Sequence, residues 1–417
     1  MPATTQQTSV LERFLRYVQL DTTSDHASTS VPSTARQLVL LDLLVAELKA
    51  LGLGDAARDE FGIVMATLPA TSGKKSVPVI GFLAHVDTSP EMSGAGVKPI
   101  VHTDYDGRDL VLPDDPSAVL SPREDADLAG KRGEDIVTAS GTTLLGADDK
   151  SGVAVVMAAV EHLVKNPAIA HGPIRIAFTP DEEIGRGVRQ FDVKRFGARC
   201  AYTLDGAGLG TLEAETFSAD AMTVTFQGCN THPGFAHGVM VNSVKVAADF
   251  VNRLPKDTLS PETTQDREGF VHPNDIRASV DRTSVDFIIR DFETAKLAVK
   301  EDYLKKLAHD TVQAWPGSSA SFEVSESYRN MRDIIAKHPE IVELAREAIR
   351  QTGVTPIDGR IRGGTDGSIL SEMGLPTPNL FSGQHRFHSR LEWVSVQDME
   401  IAVKVVVNLA QLWEQQG

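Results

Sequence analysis

Leu144-Leu145-Gly146-Ala147-Asp148-Asp149-Lys150-Ser151-Gly152 runs straight into a nearly all-apolar segment, Val153 to Val164. A helix that is apolar on almost every side has to be buried, so this stretch predicts a helix packed against a sheet. Two adjacent acids stand at its head. Acidic side chains are favoured at helix N-termini, where they cap free N–H groups and oppose the positive end of the dipole, and they also ligate metals. Asp148 and Asp149 by themselves do not choose between those roles.

The sheet to receive such a helix is visible on either side. Val77 to Ala84 is a continuous apolar run of strand length, the pattern of a strand covered on both faces, and it ends in His85-Val86-Asp87. In an extended chain His85 and Asp87 point to one side, so a carboxylate can orient an imidazole or share its site. Ile174 to Thr179 is a second strand and leads into Asp181-Glu182-Glu183; Ala201 to Leu204 is a third and ends at Asp205. Thr377 to Phe381 leads into a loop carrying His385 and His388. In open α/β sheets ligands bind beyond the carboxyl ends of the strands, and here several strand ends carry His, Asp or Glu together.

Leu11 to Leu20 and Ala35 to Leu51 have apolar residues at helical spacing, the second stopping at Gly52 as a C-cap would. Thr88 to Thr138 is rich in Pro, Gly and Asp and reads as surface loops with short strands. Between Asp205 and the distal histidines lies a segment with its own plan. Met222 to Phe226 and Ser284 to Ile289 read as strands, Asn242 to Leu254 as a helix capped by Asn242, Glu293 to Trp315 as a long helix, and Ser321 to Val324 as a closing strand. This is a compact αβ unit of inserted-domain size. Pro339 to Thr352 and Val396 to Trp413 are amphipathic helices that bracket Arg362-Gly363-Gly364-Thr365-Asp366-Gly367, where the glycines allow close backbone approach to a ligand or simply make a turn. The fold expected is α/β: a discontinuous catalytic domain over 1–214 and 331–417 with a mixed central sheet flanked by helices, and a smaller inserted αβ lid over 215–330.

The chain has 417 residues, more than the roughly 250–300 at which one core stops growing, so two domains are natural. Its 57 acidic and 41 basic side chains give a formal charge of -16, which disfavours nucleic acid and anionic membrane surfaces as partners. No apolar run reaches the ~18 residues of a membrane span, and Met1 to Val10 lacks the charged and apolar regions of a signal peptide, so a cytoplasmic location is expected. Cys200 and Cys229 are the two cysteines, too few for a disulfide framework or a thiolate zinc cluster, and both read as small buried hydrophobes.

Carboxylates and imidazoles converging without thiolates suit Zn²⁺, with Co²⁺ or Mn²⁺ as alternative occupants. Two ions close together need a shared acid, and a further carboxylate that is not a ligand can take a proton from water and pass it to a leaving amine. Glu182-Glu183 fits that division of labour. Asp87 fits the task of fixing the tautomer of a ligating histidine.

His85-Val86-Asp87, Leu145-Gly146-Ala147-Asp148-Asp149-Lys150, Asp181-Glu182-Glu183-Ile184-Gly185, Thr203-Leu204-Asp205-Gly206 and Gly363-Gly364-Thr365-Asp366-Gly367 together resemble the M20 clan of cocatalytic-zinc peptidases, over nearly the whole chain. The resemblance implies two Zn²⁺ per subunit, with His85, Asp148, Glu183, Asp205 and His388 as ligands. It puts Asp205 on one ion and His85 on the other, with Asp148 bridging. It makes Glu182 the general base and Asp87 the support of His85, and Asp149 keeps the helix-terminus role. His385 competes with His388, which the clan's spacing favours.

In the inserted unit, Asn230-Thr231-His232-Pro233-Gly234 resembles the lid motif whose histidine, His232, stabilises the oxyanion, and Arg290 matches a substrate-binding arginine. Asn330 and Gly364 are further substrate-binding candidates. Tyr328-Arg329-Asn330-Met331-Arg332 departs from the clan's second hinge, with Arg329 where an aromatic is usual, and Ser389 stands where glycine is usual. The implied reaction is release of the N-terminal residue from tripeptides. The alternatives are a dipeptidase or N-acyl amino acid deacylase of the same clan, a two-metal phosphoesterase, or a metal-stabilised binding protein. The sequence leaves open whether the chain forms a homodimer.

Overall fold

A computed structural model describes residues 8–417 of the chain. They form two compact units: the described residues up to Ala214, with Met331–Arg360 and Thr365–Gly417, make the first, and Glu215–Asn330 with Ile361–Gly364 the second.

The first unit is built on an eight-stranded mixed sheet in the order Ala57–Arg58, Val64–Leu68, Ile174–Thr179, Ile80–His85, Cys200–Gly206, Asn379–Phe381, Thr211–Thr216, Ile357–Ile361. Ile80–His85 lies between two parallel neighbours, Ile174–Thr179 and Cys200–Gly206, and Asn379–Phe381 adds a further parallel pairing. Every residue of Ile80–His85 is buried, which explains its unbroken apolar run. On one face pack the helices Val10–Tyr17, Ala147–Lys165 and Val396–Glu414; Phe191, Phe196, Leu370 and Leu375 belong to a separate apolar cluster with Leu83 and Ala201 of the sheet. Ala147–Lys165 is buried continuously from Ala147 to Glu161, as its composition demands.

Its first residues are not helical. Asp148 (φ -81°, ψ 107°) and Asp149 (φ -116°, ψ 33°) precede the regular turns, and the Asp149 carboxylate accepts the Gly152 N–H at 3.2 Å as an N-cap does. Its other oxygen accepts the His85 N–H at 3.2 Å, so the same acid ties helix start to strand end. A buried charge network joins three helices: Arg13 pairs with Glu161 at 2.8 Å and with Glu47, which also accepts the Tyr17 hydroxyl at 2.6 Å.

The short strands expected over Thr88 to Thr138 are present. Ile100–His102 and Ile136–Thr138 join Trp393–Ser395 and Gln384–His385 in a small four-stranded sheet, in the order Gln384–His385, Trp393–Ser395, Ile136–Thr138, Ile100–His102, whose strands are two or three residues long. Thr365 caps a helix, Asp366–Glu372, where a turn or ligand loop was expected. Gly210 leads into a strand, Thr211–Thr216.

The second unit is a four-stranded antiparallel sheet in the order Phe270–Ala278, Arg282–Asp291, Ser218–Gln227, Ser319–Tyr328. Alternate residues of Arg282–Asp291 are buried, the period of a strand with one covered face. Met222, Val224, Phe226, Phe287 and Ile289 pack against Phe250 and Leu304 of the helices Ser243–Asn252 and Ala295–Ala314. Asn242 does cap the first of these, accepting the Val244 N–H at 2.9 Å. Phe270–Ala278 escaped sequence reading because Pro273 interrupts it; the proline is accommodated on an edge strand, where the register shifts between Pro273 and Asp275. Ile361–Gly364 joins this unit through the Phe217 N–H, which donates to Ile361 at 3.1 Å, and through Arg362, which reaches the carbonyls of Asp266 and Glu268.

Cys200 is buried as expected, but Cys229 is exposed, because it sits just beyond the end of the strand Ser218–Gln227. No helix among the described residues is long and apolar enough to cross a membrane.

Candidate metal centre

The carboxyl ends of the parallel strands deliver the site. His85 is the last residue of its strand, Asp205 lies near the end of Cys200–Gly206, Glu182 and Glu183 follow Ile174–Thr179 in a single 3₁₀ turn, and Asp148 precedes the buried helix. Two groups of donors result. His85, Asp148 and Asp205 form one; Asp148, Glu183 and His388 form the other, each with donor atoms within 4.8 Å of one another.

Asp148 belongs to both groups and divides its oxygens between them. Oδ1 lies 3.0 Å from His85 Nε2, and Oδ2 lies 3.4 Å from His388 Nε2. His85 Nε2 is also 3.6 Å from Asp205 Oδ1, and His388 Nε2 is 2.8 Å from Glu183 Oε2. The distribution corrects one expectation: His85 and Asp205 stand in the same donor group, because their strands are parallel neighbours whose ends coincide. His388, in the left-handed region at φ 59°, reaches the centre, whereas the His385 ring stacks on Trp393 at 4.0 Å and belongs to neither group.

Around the donors stand groups that hold them. His85 Nδ1 lies 3.1 Å from the Asp87 carbonyl and 3.3 Å from its carboxylate, which leaves Nε2 to face the centre. The Asp87 carboxylate also accepts the N–H groups of Glu182 and Glu183, at 3.0 and 3.2 Å, so one acid orients the imidazole and fixes the turn that carries both glutamates. Gln384 donates to the Asp205 carboxylate at 3.3 Å. Glu182 belongs to neither donor group.

The electrostatics show what the centre lacks within its own side chains. Burial pushes Glu183 up to about 8, with the charge of Asp148 adding to the effect, and raises Asp205 above the ordinary aspartate range. Burial, with the charges of Asp205, Asp366 and Glu183, pushes Glu182 well above the usual carboxylate value. Asp366, buried and accepting the Thr179 hydroxyl at 2.7 Å, is pushed up to about 7. Although burial works against both imidazoles, Asp148 and its neighbours raise His85 well above its ordinary value and His388 to about 11. Such a concentration of buried acids is relieved either by protonation or by added positive charge. A buried Glu183 oxygen also has no hydrogen-bond partner among the described residues. An N,O donor set with a shared carboxylate fits two divalent cations of the Zn²⁺, Co²⁺ or Mn²⁺ type.

The remaining candidates lie in the second unit. His232 is exposed; its Nδ1 accepts the Gly234 N–H at 3.1 Å and its ring lies 5.4 Å from Phe235. Arg290 donates to the Arg362 carbonyl at 3.3 Å. Asn330, expected to bind substrate, directs its amide at the backbone: it accepts the Thr216 N–H at 3.1 Å and donates to the Phe292 carbonyl at 2.9 Å. A Cβ at Gly364 would fall 2.7 Å from the Tyr328 ring, so close packing accounts for that glycine. Arg329 pairs with Asp220 at 2.9 Å, which explains a cation where an aromatic was expected. Sequence reading passed over Asp366, Gln384 and Glu392. Asp366 could have been noticed in its glycine-flanked motif, but nothing local marks the other two.

The sequence pattern of peptidase family M20/M25/M40 matches residues 133–412. Peptidase T from Geobacillus kaustophilus (strain HTA426) is 47% identical over 408 residues, 98% of this chain and 99% of that protein. Among solved structures, aminopeptidase PepT from Bacillus cereus ATCC 10987 shares the fold with a TM-score of 0.75 at 24% identity, covering 98% of this chain and 99% of its own. The Bacillus subtilis YXEP protein, a dinuclear metal-binding peptidase of the M20 family, shares it with a TM-score of 0.64 at 14% identity, over 96% of each chain.

Proposed function

We infer the reaction from two premises: the chain belongs to peptidase family M20/M25/M40, and its first unit gathers two donor groups around one shared aspartate. It is a tripeptide aminopeptidase, a hydrolase that releases the N-terminal residue of a tripeptide. The observation that carries the reading is Asp148, one oxygen turned to His85 and the other to His388.

His85, Asp148 and Asp205 would hold one ion, and Asp148, Glu183 and His388 the other; Zn²⁺ is the assignment, with Co²⁺ or Mn²⁺ as alternatives. Bound there, the pair would polarise the scissile carbonyl and lower the pKa of an attacking water. Glu182 is the group proposed to take the proton of that water and hand it to the leaving amine. It is not among the donors, and its backbone is fixed beside them by the Asp87 carboxylate, which leaves its side chain free of ligation to act on a water. Asp87 keeps His85 Nε2 directed at the centre. His232 and Arg290 retain, on the resemblance to the clan, the roles of stabilising the oxyanion and of binding the substrate's backbone or carboxylate.

The test is kinetic. The purified chain should turn over a free tripeptide and reject its N-acetylated form; preference for the blocked substrate would make it a deacylase of the family and overturn the aminopeptidase reading. Glu182→Gln should lower kcat by roughly 10²–10⁴-fold while metal content stays at the wild-type level.

A further inference from the structure

Glu392 is 1% exposed and lies 244 residues beyond Asp148, yet its carboxylate receives most of the loop that carries that acid. Oε2 accepts the N–H groups of Leu145 and Gly146, both at 2.7 Å, and Oε1 accepts the Asp148 N–H at 2.9 Å. These donors precede the helical turns, so no intrahelical carbonyl can satisfy them, and they are buried away from water. A carboxylate is suited to such a cluster because it is acceptor-only and its charge strengthens each bond. Gly146, at φ +81°, lets the chain turn so that its own N–H and its neighbours' face one group.

The position of Glu392 in the chain adds a second constraint. It follows His388 by four residues and opens directly into Trp393–Ser395, a buried strand paired with Ile136–Thr138, while its own N–H donates to the Ser389 carbonyl at 3.2 Å. One rigidly seated side chain therefore connects the His388 loop to the Asp148 loop. We propose that Glu392 is a positioning residue of the metal centre, clamping Leu145–Asp148 so that Asp148 presents its two oxygens to the two donor groups and His388 keeps register with it. The inference rests on the reading of Asp148 as the shared ligand. Its consequence is directional: loss of the clamp disturbs the Asp148/Glu183/His388 group most, because both Asp148 and His388 depend on it.

The experiment titrates the metal-depleted full chain with Zn²⁺ by calorimetry and with Co²⁺ by its absorption spectrum, and follows amide hydrogen exchange over residues 145–148. Groups outside the direct donors commonly change metal affinity by about 10–100-fold, and Glu392→Gln, which replaces an acceptor oxygen with an N–H₂ facing N–H donors, should weaken binding by that order with a changed Co²⁺ spectrum. Glu392→Asp should fall between that variant and wild type, and it carries the test if the glutamine variant does not fold. The amides of Leu145, Gly146 and Asp148 should exchange slowly in the wild type and faster in both variants. Unchanged Zn²⁺ affinities in a folded variant, or rapid exchange of those amides in the wild type, would overturn the assignment. Failure of the wild type to take up ions would instead remove the two-metal reading itself.

Discussion

Gly152 sits on the buried helix at the point where it meets the strand carrying Asp205. A Cβ there would lie 2.2 Å from the Leu204 carbonyl oxygen and 2.4 and 2.8 Å from the two Asp149 oxygens. Two effects of Gly152→Ala oppose each other. Helix propensity favours alanine by about 1 kcal/mol. Overpacking commonly costs about 1–3 kcal/mol, and here the shortest contact is more than 1 Å inside the usual ~3.5 Å and falls on backbone, while the Asp149 carboxylate is held in place by the His85 and Gly152 N–H groups. The clash wins: at the upper end of that range, about 3 kcal/mol, less the propensity gain of about 1, it leaves a net loss of about 2 kcal/mol in unfolding free energy by urea titration. Because Leu204 adjoins Asp205 and Asp149 adjoins Asp148, relief by movement would also displace two donors, so Zn²⁺ affinity should fall in the same variant. Gly152→Ser, one atom larger, should be worse on both counts. A Gly152→Ala protein as stable as wild type, the outcome propensity alone dictates, would refute the reasoning.

Two further outcomes follow from groups away from the ligands. Arg13→Ala removes the cation shared by buried Glu161 and Glu47 and should lower stability by about 3 kcal/mol, the lower end for breaking a buried pair because Lys165 and Arg16 remain as partners; a loss under about 1 kcal/mol in denaturant unfolding would contradict it. Burial holds the His385 imidazole down to about 4, the effect of Lys131 adding to it and those of Asp127 and Asp125 opposing. The unfolded chain therefore binds a proton that the folded chain refuses between about pH 6.5 and 4, and stability falls as pH falls through that window. His385→Phe keeps a ring against Trp393 and removes the proton site, so its stability relative to wild type should rise on acidification by up to about 3 kcal/mol; a difference that does not vary with pH would dispose of the explanation.

Much of the centre was legible because its residues sit where simple local rules apply. Strand character shows in unbroken apolar runs, so the ends of those runs at His85, Asp181-Glu182-Glu183 and Asp205 could be read as one edge of one sheet. The buried helix announced itself by lacking a polar side, and Asp149 at its head does cap it. These are properties of a few consecutive residues, and composition and periodicity report them.

The tertiary structure decided what depends on distance across the chain. Nothing near Glu392 marks it as the acceptor for a loop 244 residues earlier, and apart from the clan's spacing nothing in the sequence separates His388 from His385; the packing of one ring on Trp393 and the left-handed turn at the other supply the physical difference. Pairing of His85 with Asp205 in one donor group follows from strand order, which the sequence does not encode locally. Asp148 shows the division most plainly. The sequence determined that an acid would stand at the start of a buried helix beside a strand end, because burial and capping are local demands. Only the fold, by bringing His85 to one oxygen and His388 to the other, made it the residue both groups share.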